Sequence, residues 1–444
     1  MLQWIKKILN ITKDKLSIDT FINNHKSSPR DFTRNKKLGF TEVFLLILRK
    51  SVKSLQVVLN ECFMHNIFST TVTASAYSQA RQKLLHTAYI EINQDTLNGY
   101  YENDPDSEFK RERFLGYRLI AGDGSVIILP GNKDVTDKFG STKIKNNIDR
   151  DLGTYTSGLF MCHYDVLNNL AIDCKLEHCK TYEVNSAIAS FDNFSEDDLL
   201  IYDRGFASYK ILATLIKNNK SYLIRFPTAT FKAVQEMFSD SGPWSREITL
   251  KVPKDQKSLI KELELPEEIT VRFVKVILST GEVEVLATSL RNNEITQDDF
   301  KDLYNRRWGV ESYFLKIKSR LSLENFTGKS VESIMQDFWS TIYISNLETV
   351  LTEDVNTELK KKNNNSNKSN KKQAVNKAVS FNVIKTMAFD LLYSNYDTDE
   401  TLKKMLKLFV TNPVIKRPER EVKRYKTSAR TSLNFQKRKR KHVY

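Results

Sequence analysis

The chain has 444 residues, of which 40% are hydrophobic and 11% aromatic, and it carries a net charge of +15 with an isoelectric point near 9.3. This composition excludes an intrinsically disordered chain and predicts a folded protein of about two or three domains whose partner is a polyanion. No apolar run reaches the length of a membrane span, and the first residues, MLQWIKKILN, contain no secretion signal, so we expect an intracellular protein.

Segment 1–112 has the pattern of a helical domain, because apolar residues repeat at helical spacing over residues 41–63 and again over residues 72–89. It could be an ordinary packing domain, and no helix-turn-helix signature is evident. We favour a DNA-binding domain, because many basic side chains are available for phosphate contacts. These side chains are Arg34, Lys36, Lys37, Arg49, Lys50, Lys53, Arg81 and Lys83.

From residue 113 the pattern changes to strands. The run GYRLIAGDGSVIILP is apolar and is interrupted by Asp123, and two more strand-like segments follow at residues 158–164 and 167–174. A helix-prone segment then leads to DLLIYDRGF, a strand that ends at Asp203, and a further helix leads to the strand SYLIRFP. Three strands followed by alternating helix and strand predict an α/β protein with an RNase H-like core, whose first part is 113–226.

Asp123 and Asp203 each interrupt or end a strand that is otherwise apolar. Taken singly, Asp123 could belong to a turn, since Asp-Gly is a turn dipeptide, and Asp203 could cap the helix that follows it. A buried ionised carboxylate costs several kcal/mol unless it is paired or bound to a metal. The two aspartates together therefore favour a metal site.

The four cysteines, Cys62, Cys162, Cys174 and Cys179, are too few to crosslink a chain of this length. Three of them lie near two histidines, which could indicate zinc, but the paired Cys-x2-Cys spacing is missing. Since Cys162 and Cys174 fall in apolar strand-like runs, we predict buried thiols.

In segment 227–292 polar and apolar residues alternate in REITLKV, ITVRFVKVIL and EVEVLATSL, which predicts an antiparallel sheet inserted into the core. Trp244 lies early in this insertion, and we predict that its ring packs inside the fold. Segment 293–412 is predicted to complete the core with C-terminal helices, apart from a polar, disordered loop at 360–372.

Residues 304–318, YNRRWGVESYFLKIK, predict one amphipathic helix with a stripe of reactive side chains between its apolar and polar faces. At about 100° per residue, the stripe holds four side chains within an arc of roughly 60°. They are Tyr304, Arg307, Glu311 and Lys318. Taken alone, Arg307 and Glu311 could form an ordinary i,i+4 ion pair.

The tail 413–444 is strongly basic. Between Lys416 and Lys441 it holds twelve Lys and Arg against two Glu, a net charge of +10. Such a run can be a solvated arm, but Tyr425 and Phe435 among the charges suit a segment that becomes ordered on DNA.

The spacing Tyr304-x2-Arg307-x3-Glu311-x6-Lys318 resembles the YREK signature of IS4-family DDE transposases, which are relatives of Tn5 and Tn10. Asp123 and the Asp-Arg-Gly-Phe motif at Asp203 stand in the order of the two aspartate motifs of that family. The resemblance covers about residues 114–345. It implies an RNase H-like catalytic core with a β-rich insertion at 227–292 and an N-terminal helical domain. Tn5-type relatives place a tryptophan in this insertion that stacks on a flipped base, so base stacking is the alternative role of Trp244, which lies earlier in the insertion than that tryptophan should.

The resemblance also implies a chemistry in which water cuts the element end and the freed 3′-OH attacks target DNA. Two Mg²⁺ or Mn²⁺ ions would be held by three acids, Asp123, Asp203 and Glu311. Contacts to DNA phosphates would come from Tyr304, Arg307, Lys318 and Arg225. The implied partners are the terminal inverted repeats and target DNA, bound by a homodimer in the cytoplasm of a prokaryote, with no membrane involved.

Two other functions remain open at this point. One is an RNase H-like DNA endonuclease or junction resolvase, which would keep the three carboxylates but has little need of the Tyr-Arg-Lys stripe. The other is a non-catalytic DNA-binding repressor derived from a transposase, against which the three intact acids argue. Short inverted repeats on both sides of the reading frame would favour the transposase.

Overall fold

The computed structural model describes residues 2–34, 37–51, 53–102, 111–143, 153–229, 231–239, 243–278, 280–291, 295–365, 372–393 and 398–416. Its α-helices are α1 Leu2–Ser17, α2 Asp19–Asn24, α3 Phe40–Arg49, α4 Leu55–Met64, α5 Ala74–Arg81, α6 Thr87–Tyr101, α7 Lys133–Phe139, α8 Glu183–Ile188, α9 Tyr209–Lys217, α10 Lys232–Gln235, α11 Lys257–Glu262, α12 Gln297–Asn305, α13 Trp308–Ser319, α14 Val331–Asn365, α15 Lys377–Thr386, α16 Ala388–Leu392 and α17 Thr398–Thr411. Its strands are β1 Arg118–Ile128, β2 Ser141–Lys143, β3 Thr154–Asp165, β4 Leu170–His178, β5 Asp198–Tyr202, β6 Ser221–Phe226, β7 Ser245–Lys251, β8 Glu268–Ile277, β9 Val283–Thr288, β10 Lys372–Val375 and β11 Pro413–Lys416. Within these ranges no helix has the length and apolar character needed to cross a membrane.

The chain divides into two compact units. The helical unit comprises the described residues within Met1–Ser107, Ile127–Gly158 and Leu315–Tyr444, and the sheet unit those within Glu108–Val126 and Leu159–Phe314. The domain boundaries at residues 112, 226, 292 and 412 stay predictions.

The helical unit is organised around the long helix α14, which packs against α3, α6, α15 and α17. The two helices expected at 41–63 and 72–89 are each divided, the first into α3 and α4 and the second into α5 and the start of α6. The cap of α5 explains one boundary, because the hydroxyl of Thr73 accepts a hydrogen bond from the backbone N–H of Ala76 and so fixes where that helix begins.

Arg81 differs from its sequence-based prediction as a phosphate contact. It is only 6% exposed, and each of its guanidinium nitrogens donates a hydrogen bond inside the helical unit. The acceptors are Gln336, Thr327, the carbonyl oxygen of Ser333 and the buried carboxylate of Asp337. Arg81 therefore holds α5 against α14 and is a buried structural cation, because four of its five N–H donors are engaged inside the helical unit.

In the described residues the main sheet is mixed and has the strand order β2-β3-β1-β5-β6-β9-β8-β7, with β4 paired to β3. Strands β1, β5 and β6 run parallel, and helices α8 and α9 connect β4 to β5 and β5 to β6. The strands of the predicted insertion are present as β7, β8 and β9, which pair antiparallel and extend the sheet beyond β6.

The two faces of the parallel strands bury different side chains, as the period of two along a strand requires. One face packs with α8 and α9 and holds Ile120, Leu200, Tyr202 and Ile224. The opposite face packs with α12 and holds Leu119, Leu199, Ile201 and Leu223. The odd-numbered residues of β1, β5 and β6 therefore face α12, and the even-numbered residues face α8 and α9.

Three peripheral features complete the comparison with the sequence. Cys62, Cys162 and Cys174 are buried free thiols, as predicted. Trp244 does not pack inside the fold, because it is 44% exposed. The guanidinium carbon of Arg272 lies over its ring, 5.9 Å from the ring centroid. Helix α14 continues to Asn365, so the predicted disordered loop is helical at its start. Residues 366–371 and the basic tail beyond 416 lie outside the described residues.

Candidate active site

Asp123, Asp203 and Arg225 lie in one row across the three parallel strands of the sheet unit. Gly122 pairs with Tyr202, and Tyr202 pairs with Ile224, so the next residue of each strand stands at the same level. Neighbouring strands are about 5 Å apart, and the three side chains leave the sheet on the face that carries α12. The structure thus brings the two predicted aspartates side by side.

Tyr304, near the end of α12, reaches this row. Its hydroxyl donates a hydrogen bond to Oδ1 of Asp203 at 2.9 Å, and its ring is almost fully buried. Arg225 approaches the same oxygen of Asp203 at 3.9 Å and forms a closer ion pair with Glu284 on β9, at 2.9 Å. Asp203 is therefore held by one hydroxyl and one guanidinium.

Arg307 is the central cation of the site. Its Nη2 lies 2.8 Å from Oε1 of Glu311, and its guanidinium stacks at 4.8 Å on the ring of Trp308 and at 5.8 Å on that of Tyr304. Its side chain is only 3% exposed, and its Nε has no hydrogen-bond partner among the described residues. Arg307 is thus buried beside the acids, whereas Trp308 is 48% exposed above it.

The predicted single helix at 304–318 is wrong, because the chain forms two helices, α12 and α13, that meet at Arg306 and Arg307. The junction is tightened by i to i−3 hydrogen bonds, including Arg307 N–H to Tyr304 and Val310 N–H to Arg307. Gly309 allows this close packing, since a Cβ there would lie 2.9 Å from a methyl group of Val166. The side chains meet through this bend and not through a continuous stripe.

Lys318 follows on α13 but belongs to the helical unit. There, burial lowers the pKa of its ammonium group, while the charge of Glu324 acts in the opposite direction. The sheet unit brings together the other six predicted residues: Asp123, Asp203, Glu311, Tyr304, Arg307 and Arg225.

The two aspartates differ in their electrostatic environment. Burial raises the pKa of Asp123 to about 6, and the negative charges of Glu183 and Glu311 act in the same direction, although Arg307 and the N–H of Gly124 oppose them. Burial alone would also raise the pKa of Asp203, but the backbone N–H of Arg204, the Tyr304 hydroxyl and two guanidinium groups lower it. Asp203 is therefore stably ionised, whereas burial is the main reason that the pKa of Asp123 is raised.

Close packing of the residues that precede the two aspartates holds β1 and β5 in register. A Cβ on Gly122 would lie 2.2 Å from the ring of Tyr202, whose hydroxyl is 2.9 Å from Nε2 of the buried His163. Only glycine at this position lets β1 approach the aromatic ring on β5. The two residues that precede the aspartates therefore lock the strands that carry them.

Sequence reasoning missed two acids of the site, Glu183 and Glu284. Glu183 begins α8, and its Oε1 atom lies only 2.5 Å from the position that a Cβ atom on residue 124 would occupy. Glu284 faces α12 from β9 and pairs with Arg225. The period of two along β9 could have indicated Glu284, but the pairing of β9 with β6 is a long-range contact that the pattern does not contain.

The described residues contain no group of three or more His, Cys, Asp or Glu side chains positioned to hold a metal ion. The chemistry of the donors nevertheless fits a hard divalent cation, because the carboxylates of Glu183 and Glu311 both act on that of Asp123, and the charge of Arg307 acts on Asp123 and Glu311. Small movements of side chains would be needed to bring these oxygens together.

The protein thus has a mixed α/β sheet with an acidic site at its central parallel strands. Asp123 lies on β1, Asp203 directly follows β5, and Glu311 comes from the later helix α13. The sequence matches the family model of the transposase DDE domain over residues 115–347, more than half of the chain. The chain belongs to this family of DDE transposases.

No curated protein matches the sequence. Among solved structures, the fold is similar to a piggyBac transposase synaptic complex with hairpin DNA, solved by cryo-electron microscopy. The two chains are 10% identical, the TM-score is 0.43, and the match covers 97% of this chain and 86% of that chain.

Proposed function

We propose that the protein is the transposase of an insertion sequence of the IS4 type. It cuts DNA at the ends of its element and joins the resulting 3′-OH to target DNA. The observation that carries the proposal is the row of Asp123 and Asp203 on adjacent strands, with Glu311 tied to the same cluster through Arg307. Membership in the DDE transposase family supports the same reaction class.

The strand order β4-β3-β1-β5-β6, with helices α8 and α9 between the later strands, supports an RNase H-like core. In this proposal β7, β8 and β9 are the β-rich insertion, and the N-terminal helices bind DNA.

Asp123, Asp203 and Glu311 are proposed to hold two Mg²⁺ or Mn²⁺ ions. When bound, such ions activate the attacking oxygen and stabilise the leaving oxygen of an in-line displacement. The protein sets the ionisation state and the orientation of these carboxylates. Tyr304 and Arg225 keep Asp203 ionised and oriented, whereas the pKa of Asp123 is raised by burial and, to a smaller extent, by Glu183 and Glu311, and a bound cation would favour its ionised form.

Arg307, Tyr304, Arg225 and Lys318 are proposed to contact DNA phosphates. Arg307 and Tyr304 are buried in the structure and engaged by Glu311 and Asp203, so their contact with a phosphate requires the acids to exchange these partners for a cation. Arg307 thus has two successive roles. It neutralises the acids before the cation binds, and it contacts a DNA phosphate afterwards.

The proposed partners are the terminal inverted repeats and target DNA, bound by a homodimer. The net charge of +15 and the basic tail support a polyanionic partner. We propose that the protein acts in the cytoplasm of a prokaryote, at the nucleoid when DNA is bound.

The test uses labelled DNA from both sides of the reading frame, incubated with the full chain and either Mg²⁺ or EDTA. We expect Mg²⁺-dependent cuts that leave a 3′-OH at the boundary of an inverted repeat. Glu311→Ala should abolish the cuts and leave binding of the end DNA intact, whereas Glu267→Gln, at an exposed glutamate of the sheet unit, should cut normally. Binding without any cleavage would favour a repressor. Equal cutting of unrelated branched DNA would favour a junction nuclease.

A further inference from the structure

Glu183 is a fourth carboxylate beside the predicted triad. It is the first residue of α8, directly after the loop that follows β4, and the helix is anchored by the buried side chains of Val184, Ser186 and Ala187. Anchoring on one side leaves the Glu183 side chain directed at β1. Its charge acts on Asp123, as the charge of Glu311 does.

Gly124 makes room for this carboxyl group. The oxygen and the carboxyl carbon of Glu183 lie 2.5 and 2.6 Å from the place where a Cβ of residue 124 would stand. Any other residue at 124 would have to displace the carboxylate. The glycine next to Asp123 therefore keeps a second acid against the same stretch of β1.

The position lies at an open part of the sheet. In the described residues β1 pairs with β5 as far as Gly122 and Tyr202, and β1 itself continues to Ile128. Asp123 and Gly124 face opposite sides of the sheet, and within the described residues the pairing of β1 with β5 does not continue to either of them. A carboxylate from α8 and one from the α12 side can therefore reach the same ion past this edge.

Glu183 also lacks a cation of its own. Among the described residues its side chain forms no ion pair and no hydrogen bond, although the residue is half-buried. Arg307 pairs with Glu311, and Arg225 pairs with Glu284 and Asp203. An acid kept half-buried with no counter-charge costs free energy unless a ligand supplies one.

Building on the proposed function, we propose that Glu183 is a further metal-binding residue, so that the divalent ions are held by four carboxylates: Asp123, Asp203, Glu311 and Glu183. The family resemblance names only the first three. A fourth acid would add negative charge on the α8 side of Asp123, where the triad alone supplies none.

The test measures Mn²⁺ affinity of the full chain without DNA, by electron paramagnetic resonance of the free ion. We expect Glu183→Gln to raise the Kd for Mn²⁺ about tenfold. Glu183→Asp should recover part of the affinity, and Glu267→Gln should match the wild type. In EDTA, Glu183→Gln should be at least as stable as the wild type, because it removes a charge that has no counter-ion.

The outcomes distinguish a metal-binding role of Glu183 from a structural role, and either of these from failure of the proposed function. Wild-type affinity in Glu183→Gln, together with weakened binding in Asp203→Asn, would overturn this inference and leave the proposed function standing. Loss of stability of Glu183→Gln in EDTA would show a structural role and would also overturn it. Failure of the wild type to bind Mn²⁺ at all would contradict the proposed function itself.

Discussion

The hydroxyl of Tyr304 donates a hydrogen bond to Asp203, a residue 101 positions earlier in the chain, at 2.9 Å. This bond ties the end of α12 to the end of β5. It lowers the pKa of Asp203 together with the N–H of Arg204 and the two nearby guanidinium groups, against the opposing effect of burial. The first residue of the predicted YREK motif thus acts on the second predicted aspartate.

Replacing Tyr304 with Phe removes the donor and keeps the ring. We expect a loss of about 1 kcal/mol in the free energy of unfolding at pH 7, at the low end for a charged acceptor because the Asp203 side chain is 33% exposed. A carboxylate with a lowered folded pKa stabilises the fold above its unfolded pKa, and this contribution disappears as the pH falls through the folded pKa. Urea unfolding should therefore show the difference at pH 7 and a smaller one below pH ~4. Tyr182→Phe, at an exposed position, is the control.

Asp123 gives the opposite sign. Its folded pKa of about 6 lies above the unfolded value, so its ionisation destabilises the fold as the pH rises between about 4 and 6. Asp123→Asn should raise the free energy of unfolding by roughly 1 to 3 kcal/mol at pH 7.5 in EDTA. The gain should vanish near pH ~4. Urea denaturation at the two pH values measures this, and a variant less stable than the wild type at pH 7.5 would contradict a cost of burying the ionised Asp123 carboxylate. Asp192→Asn, at an exposed site, should change little.

Gly122→Ala tests the packing that holds the two aspartates level. The new methyl group would lie 2.2 Å from the ring of Tyr202, which is fully buried and cannot move aside. We expect a loss of about 2 to 3 kcal/mol in the free energy of unfolding, measured by chemical denaturation. Gly205→Ala is the matched control, because a Cβ there would meet nothing within 4 Å. Equal effects of the two variants would refute the close approach of β1 to Tyr202.

Arg81→Met tests the structural interpretation of the buried cation in the helical unit. Its loss leaves the buried carboxylate of Asp337 with hydrogen bonds from Thr327 but without its ion-pair partner, so we expect a loss of roughly 3 to 5 kcal/mol in stability. Lys83→Met, two residues away with a longer 3.5 Å ion pair, should cost less than about 0.5 kcal/mol. If Arg81 instead contacts DNA, the variant will keep its thermal stability and lose affinity for end DNA.

The acidic pair was predictable from the sequence because it depends on local pattern. Asp123 and Asp203 each interrupt or end an apolar run, and neighbouring parallel strands point their carboxyl ends at the same edge of a sheet. The register that puts them at one level follows from the contact between Gly122 and Tyr202, which no local pattern contains.

The geometry at Arg307 was not predictable. A continuous 3.6-residue period over residues 304–318 indicated one helix, whereas the contact of Gly309 with Val166, far away in the sequence, allows a tight break. Glu183 was missed for a similar reason. Its role depends on the missing side chain at Gly124, and a single glutamate at the start of a helix is otherwise ordinary.

The central claim is that three stretches of chain, around Asp123, Asp203 and Glu311, surround the same divalent ions. Replacing Mg²⁺ with Fe²⁺ and adding ascorbate and peroxide generates radicals that cut the backbone beside the bound metal, and mass spectrometry of the fragments locates the cuts. The account predicts cuts near residues 123, 203 and 311 together, suppressed by excess Mg²⁺ and by Asp203→Asn. Cuts near one of these positions alone, or at none of them, would contradict it.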